Sequence, residues 1–153
     1  MTLFENNPRI TPFLWFDSNA EEAVDFYLTV FTNSRRFGEA RDSRSPKGNI
    51  LTVSFELDGQ KFIALNGGPL FQFTEAISFV VRCDSQAEVD HYWTKLSAGG
   101  SESRCGWLKD KFGLSWQIVP ARLAELIQHP KAMQAMLGMK KLDIAELERA
   151  AKE

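Results

Sequence analysis

The stretch Ile10-Thr11-Pro12-Phe13-Leu14-Trp15-Phe16-Asp17-Ser18-Asn19-Ala20-Glu21-Glu22-Ala23-Val24-Asp25-Phe26-Tyr27-Leu28-Thr29-Val30-Phe31 decides the fold. Ile10 to Phe16 is an apolar run rich in aromatic and β-branched types, which reads as a buried strand. Asp17-Ser18-Asn19 are helix-capping residues. Ala23, Phe26, Tyr27, Val30 and Phe31 then recur at three- and four-residue steps, the mark of a helix with one apolar face.

The same order begins again at Ala76. Ala76 to Cys83 is an apolar strand, Asp84-Ser85-Gln86 a cap, and Ala87 to Ser97 a helix ended by Gly99-Gly100. Asp17-Ser18-Asn19-Ala20-Glu21 is echoed by Asp84-Ser85-Gln86-Ala87-Glu88, and Val24-Asp25-Phe26-Tyr27 by Val89-Asp90-His91-Tyr92, with one residue skipped between the blocks. The spacing of about 67 residues is too long for a solenoid and suits a duplicated supersecondary module.

Each helix is followed by strand signals. In the first half Arg35–Glu39 reads as a short strand, and Ser45-Pro46-Lys47-Gly48 as a turn. Ile50 to Leu57 alternates, with Leu51, Val53, Phe55 and Leu57 opposite Thr52, Ser54 and Glu56. Asp58-Gly59 is a strong hairpin signal, and Gln60 to Asn66 is the returning strand, stopped by Gly67-Gly68-Pro69. In the second half, strand-like segments fall at Glu102–Cys105, Trp107–Asp110 and Leu114–Val119. Beyond Pro120, Ala121–Gln128, Lys131–Met139 and Asp143–Ala151 are helix formers.

The expectation is an α+β chain of two βαβββ modules forming a cupped mixed sheet, with helices outside and a C-terminal helical cap. It is a single domain over residues 1–153, with modules at 8–69 and 75–120 and the extension at 121–153.

Composition narrows the function classes. The 153 residues are 44% hydrophobic and 25% charged, with a net charge of −2 and both signs mixed. No basic stripe marks a nucleic-acid surface. No apolar run approaches the ~20 residues of a spanning helix, and the start lacks the pattern of a signal peptide. Two separated cysteines, Cys83 and Cys105, match neither a disulfide framework nor a zinc pattern. The expectations are a cytoplasmic location, no membrane and no nucleic-acid partner. Met133, Met136, Leu137 and Met139 read as core, dimer contact or a soft ligand surface.

Four segments carry a resemblance: Ile10–Asp17, Ala20–Tyr27, Phe62–Pro69 and Cys105–Gly113. They resemble the PhnB-like branch of the glyoxalase/bleomycin resistance/dioxygenase (vicinal oxygen chelate) superfamily, over roughly residues 8–150. Members of that branch often carry the label "3-demethylubiquinone-9 3-methyltransferase domain". The resemblance implies a cup with a pocket inside, a homodimer, and four positions that hold a divalent ion in metal-using members. Carried over, these fall on Pro12, Ala64, Ser78 and Gln117, none of them a first-choice ligand. Their neighbours Phe13, Ile63, Leu65, Ile77, Phe79, Trp116 and Ile118 are no better. His91 falls on the second helix and His129 in the tail. No metal and no other cofactor is therefore expected.

At period two, the inward set becomes Pro12, Leu14, Phe16, Phe62, Ala64, Asn66, Ser78, Val80, Arg82, Ser115, Gln117 and Val119. Trp107 and Asp110 complete the candidate pocket for a small-molecule ligand. Several carry two readings. Arg82 binds an anion or pairs with a surface acid. Asn66 contacts ligand or shapes the turn before Gly67-Gly68. Trp107 stacks on ligand or packs under the C-terminal cap. Asp110 is a general base or binds its own backbone in the tight turn. Cys105 is a nucleophile or an inert buried thiol.

Catalysis itself is left open. A metal-dependent lyase or dioxygenase is the alternative that the superfamily suggests. A methyltransferase is disfavoured, because neither Gly67-Gly68 nor Gly99-Gly100 has the strand-to-helix setting of a nucleotide-binding turn.

Overall fold

The computed structural model describes residues 3–153. In chain order the elements are β1 (Phe13–Phe16), α1 (Ala20–Val30), β2 (Ser34–Arg41), β3 (Ile50–Leu57) and β4 (Gln60–Asn66). β5 (Ser78–Cys83), α2 (Gln86–Ser97), β6 (Ser101–Glu102), β7 (Trp107–Lys109) and β8 (Ser115–Pro120) follow. Three helices end the chain: α3 (Leu123–Leu126), α4 (Pro130–Leu137) and α5 (Ile144–Ala151). The order βαβββ thus occurs twice, giving an α+β fold of two modules.

Each module builds a four-stranded mixed sheet, ordered β1-β4-β3-β2 in the first and β5-β8-β7-β6 in the second. The first strand of each pairs in parallel with the last, which a crossover helix permits. By packing, the chain divides into two compact units, Met1–Gln72 and Phe73–Glu153, and the C-terminal helices belong to the second.

The first core lies between α1 and its sheet. Ala20, Ala23, Val24, Tyr27 and Val30 are the buried side chains of α1, at the helical spacing read in the sequence. They meet β3 and β4. Tyr27 stacks on Phe55 at 6.3 Å, and Phe55 on Phe62 at 5.2 Å. Each such fully buried side chain stabilises the fold by roughly 1.5–3 kcal/mol. The hairpin turn forms as expected, with Asp58 and Gly59 both at positive φ. β2 runs longer than the expected short strand, and a register shift near Phe37 marks an irregularity in it.

In the second module Val89, Trp93 and Leu96 of α2 are buried. Across the sheet Cys83, Leu108, Trp116 and Ile118 are buried as well, and α2 packs on β5, β7 and β8. Strands β6 and β7 are shorter than the sequence suggested. The reason is the turn between them, where Cys105 and Gly106 both take positive φ. Their N–H groups donate to the carbonyls of Met139 and Lys140, each at 2.8 Å, while the Gly106 carbonyl accepts from the Ile118 N–H at 2.7 Å, so that turn ties the C-terminal extension to the sheet. Leu126, Met136, Leu142 and Leu147 form the extension's own core. Among the described residues no helix is long and apolar enough to cross a membrane.

Candidate ligand site

In the first module the strand faces are opposite to the sequence expectation. Register pairs Phe55 with Phe62, Val53 with Ala64, and Ala64 with Leu14. All lie on the face that Tyr27 covers. Leu14, Phe16, Phe62 and Ala64 are therefore core beneath α1, not pocket lining. Pro12 precedes β1 in the same alternation, and its carbonyl accepts from the Ile63 N–H at 3.0 Å.

Asn66 also turns toward α1. Its Oδ1 accepts from the Ala20 N–H at 2.8 Å and its Nδ2 donates to the Ile50 carbonyl at 3.1 Å. It satisfies one of the unpaired donors at the start of α1, a role that neither sequence reading of Asn66 included. The missed signal was the hairpin. A two-residue turn at Asp58-Gly59 fixes Phe62 opposite Phe55, and the Val53–Phe55–Leu57 face has to meet the apolar side of α1.

The face of this sheet opposite α1 carries Phe13, Trp15, Ile63, Leu65, Thr52 and Ser54. Trp15 is fixed there: its Nε1 donates to the Gly68 carbonyl at 2.9 Å, and Phe71 meets its ring edge-on at 4.9 Å. A Cβ on Gly67 would stand 2.4 Å from the indole, so glycine is needed for this approach. Thr52 and Ser54 are both buried, and the Thr52 hydroxyl has no hydrogen-bond partner.

In the second module the expected residues other than Asp110 share one face. Register aligns Lys109 with Ser115 and Ser78, Trp107 with Gln117 and Val80, and Val119 with Arg82. This set alternates with the buried Leu108, Trp116 and Ile118. Gln117 Nε2 donates to the Ser78 hydroxyl at 2.9 Å. Beside them the Ser115 hydroxyl is buried without a partner. Val80 is 59% exposed, unusual for a strand valine. Arg82 faces Asp84 at 3.8 Å, both well exposed, which is its surface-pair reading. Lys109 is ion-paired with Glu75, and this holds the Glu75 carboxyl below its ordinary range. Val119 packs on the C-terminal apolar cluster.

Asp110 is only 2% exposed. Its Oδ1 accepts from the Phe112 and Leu114 N–H groups at 2.9 and 3.1 Å, and its Oδ2 accepts from Trp116 Nε1 at 2.9 Å. The carboxylate thus ties the tight turn to the core, which is the backbone-binding reading extended by the Trp116 bond. Cys105 serves the turn through its backbone. Burial pushes the Cys83 thiol up to about 12, with Glu88 and Asp84 adding repulsion, so this thiol stays protonated and inert.

The comparisons with known proteins accord with this geometry. The family model described as 3-demethylubiquinone-9 3-methyltransferase matches residues 8–119. The PhnB protein of Bacillus cereus, which carries that same methyltransferase name, is 32% identical. The match covers 74% of this chain and all of that one, with a TM-score of 0.68. A protein of Pseudomonas aeruginosa is 20% identical over 74% of this chain and 98% of its own, with a TM-score of 0.62. The fosfomycin resistance protein FosX of Mesorhizobium loti is 13% identical over 79% and 97%, with a TM-score of 0.57. These last two speak for the fold alone. No curated protein matches the sequence. The chain therefore belongs to the PhnB-like family described as 3-demethylubiquinone-9 3-methyltransferase.

Proposed function

We propose that this family member binds a small organic molecule on the face of the second sheet opposite α2, and that it does so without a divalent ion. One observation carries the reading. Ser78 and Gln117 are hydrogen-bonded at 2.9 Å, and the Ser115 hydroxyl on the paired strand position is buried without a partner. An unsatisfied buried hydroxyl costs about 1–3 kcal/mol, which a ligand oxygen or a bridging water recovers. Trp107 and the exposed Val80, in the same row as Gln117, supply apolar area beside it.

The residues do not suit a divalent ion. Serine and glutamine are poor ligands for it, and the described residues contain no group of three or more His, Cys, Asp or Glu side chains placed to hold one. The family description also names a methyltransferase. Against that reading, Gly67-Gly68 leaves β4 for a loop and Gly99-Gly100 leaves α2 for β6, so neither glycine pair opens a helix as a nucleotide-binding turn does.

Thermal-shift screening of a metabolite panel tests it, since a ligand specific for the native state raises Tm by mass action. A hit that survives chelator and is lost in Gln117→Ala supports the reading. Stoichiometric metal in the purified protein that Gln117→Ala removes would overturn it, as would a Tm gain found only with S-adenosylmethionine.

A further inference from the structure

The first module holds a cavity that the site above does not use. It lies on the side of the sheet opposite α1, between the turn at residues 3–7 and strands β2 and β3. Its volume is about 210 Å³, and Leu3, Phe37, Gly38, Ala40 and Ser54 are among its lining residues. That is below the ~300–1,000 Å³ of sites for drug-sized ligands, so the occupant is a small fragment.

Gly38 is the informative residue. Glycine inside a strand weakens it, and marks a bulge or a place where something approaches closely. The register shift in β2 falls beside Gly38, yet Gly38 is not among the positive-φ glycines. A Cβ there would meet only the Ser54 Cβ at 3.7 Å and Oγ at 3.9 Å, which is ordinary contact. Neither backbone conformation nor crowding requires a glycine. What its missing side chain does is leave the cavity floor open. Ala40, also small, pairs with Thr52, whose hydroxyl is buried and unpartnered.

Two cations stand beside the cavity, against the Phe37 ring. Lys61 Nζ lies 5.0 Å from the Phe37 ring centroid and donates to the Asn6 carbonyl at 2.7 Å; Glu56 stands opposite it in the strand register, but among the described residues no carboxylate is ion-paired with it. By contrast, Arg35, 4.9 Å over the same ring, has Glu56 at 3.5 Å. Glu39 at the cavity wall is taken up by Arg36 at 3.3 Å and Arg41 at 3.5 Å. One aromatic wall, one hydroxyl and one ammonium without an acidic partner define a ligand chemistry.

We propose that this cavity is a binding site for a small organic acid, with its flat apolar body against Phe37 over Gly38 and its carboxylate toward Lys61. The site shares no residue with the Ser78–Gln117 cluster and stands or falls without it. The test is NMR titration of the full chain with benzoate, and with benzamide as the uncharged control. Benzoate is expected to shift the Gly38 and Ser54 amides with saturation. Lys61→Gln should weaken benzoate at least tenfold and leave benzamide unchanged. Gly38→Val should abolish binding of both while Tm holds or rises, and Gln117→Ala should change nothing. Equal affinity for benzoate and benzamide, full binding in Lys61→Gln, or shifts confined to other regions would overturn the proposal. Should Gly38→Val fail to fold, the Lys61→Gln arm and the shift map still decide it.

Discussion

The two modules share an element order and a sheet order, yet they secure their helices in different ways. In α2 the cap is local. Ser85 Oγ accepts from the Glu88 N–H at 3.2 Å, and Glu88 Oε1 accepts from the Asp84 N–H at 2.7 Å, a local variant of the capping box in which the carboxylate reaches the residue before the cap. In α1 the residue at the N-cap, Asn19, makes no side-chain cap. Asn66, at the far end of β4, does that work from 46 residues away. Similar letters at the two helix starts conceal a local device and a tertiary one. The first module can cap its helix only once its sheet is in register; the second can do so earlier.

The modules differ also in what lies at the sheet edge. β2 and β3 of the first are eight residues each, while β6 and β7 of the second have two and three. Between those two strands the N–H groups of Cys105 and Gly106 bind the carbonyls of Met139 and Lys140. The Bacillus cereus relative is covered completely by 74% of this chain, and the family model stops at residue 119. The helices α3 to α5 are thus an addition to the shared fold, and the second module is where it is attached.

The largest expected effect tests that attachment. Leu142 is fully buried, and its side chain lies against the position of Gly106 where a Cβ would stand, at 3.1 Å. Leu142→Ala should lose about 2–5 kcal/mol, the range for a buried leucine truncated in a core. Hydrogen exchange should show the loss in α4, α5 and the Cys105–Trp107 turn, with α1 unchanged. Equal loss of protection in α1 would mean that the two modules unfold as one, and the comparison drawn here would lose its energetic content.

A middle-sized effect separates the two capping devices. Asn66→Ala removes the acceptor for Ala20 N–H and the donor to the Ile50 carbonyl, and should cost about 1–2 kcal/mol. Ser85→Ala should cost about 1 kcal/mol. The difference lies in where the loss is felt. Exchange should quicken in both α1 and the β3–β4 hairpin for Asn66→Ala, but only in the first turn of α2 for Ser85→Ala. If Asn66→Ala affects α1 alone, the tertiary character assigned to that cap is wrong.

How much of this was legible beforehand follows from the range of each signal. The modules were legible because strand alternation, the Asp58-Gly59 turn and the helical apolar stripes are all local. The second-module face was legible because Ser78 to Arg82 counts directly back from the cap at Asp84-Ser85. The first-module face was not. Counting back from Phe26-Tyr27, on the far side of the cap, misplaced the alternation by one residue, and one residue inverts a strand. Leu14 and Phe62 moved to the core for that reason, and Phe13 and Ile63 took the other face. The part played by Cys105 was hidden for a different cause: a non-glycine residue at positive φ leaves little trace in sequence. The cavity at Gly38 was equally silent, since a lone glycine in a strand does not say what stands above it.

The smallest expected effect is the sharpest test of the duplicated cap. Asn19 and Gln86 occupy matching places in the repeat. Gln86 Nε2 donates to Asp90 at 3.0 Å and to the Leu142 carbonyl at 3.1 Å, and its Oε1 accepts from the Ile144 N–H at 2.8 Å. With the Asp90–Lys141 ion pair at 2.9 Å, it holds the extension to α2. Gln86→Ala should therefore cost about 1 kcal/mol and speed exchange at Ile144. Asn19 has no such task, and Asn19→Ala should stay within about 0.5 kcal/mol of the parent. The contrast is informative because capping preference alone treats Asn as the better residue at a helix start. If Asn19→Ala proved the costlier of the two, the first helix would depend on its local cap after all, and Asn66 would be a supporting contact and not the cap itself.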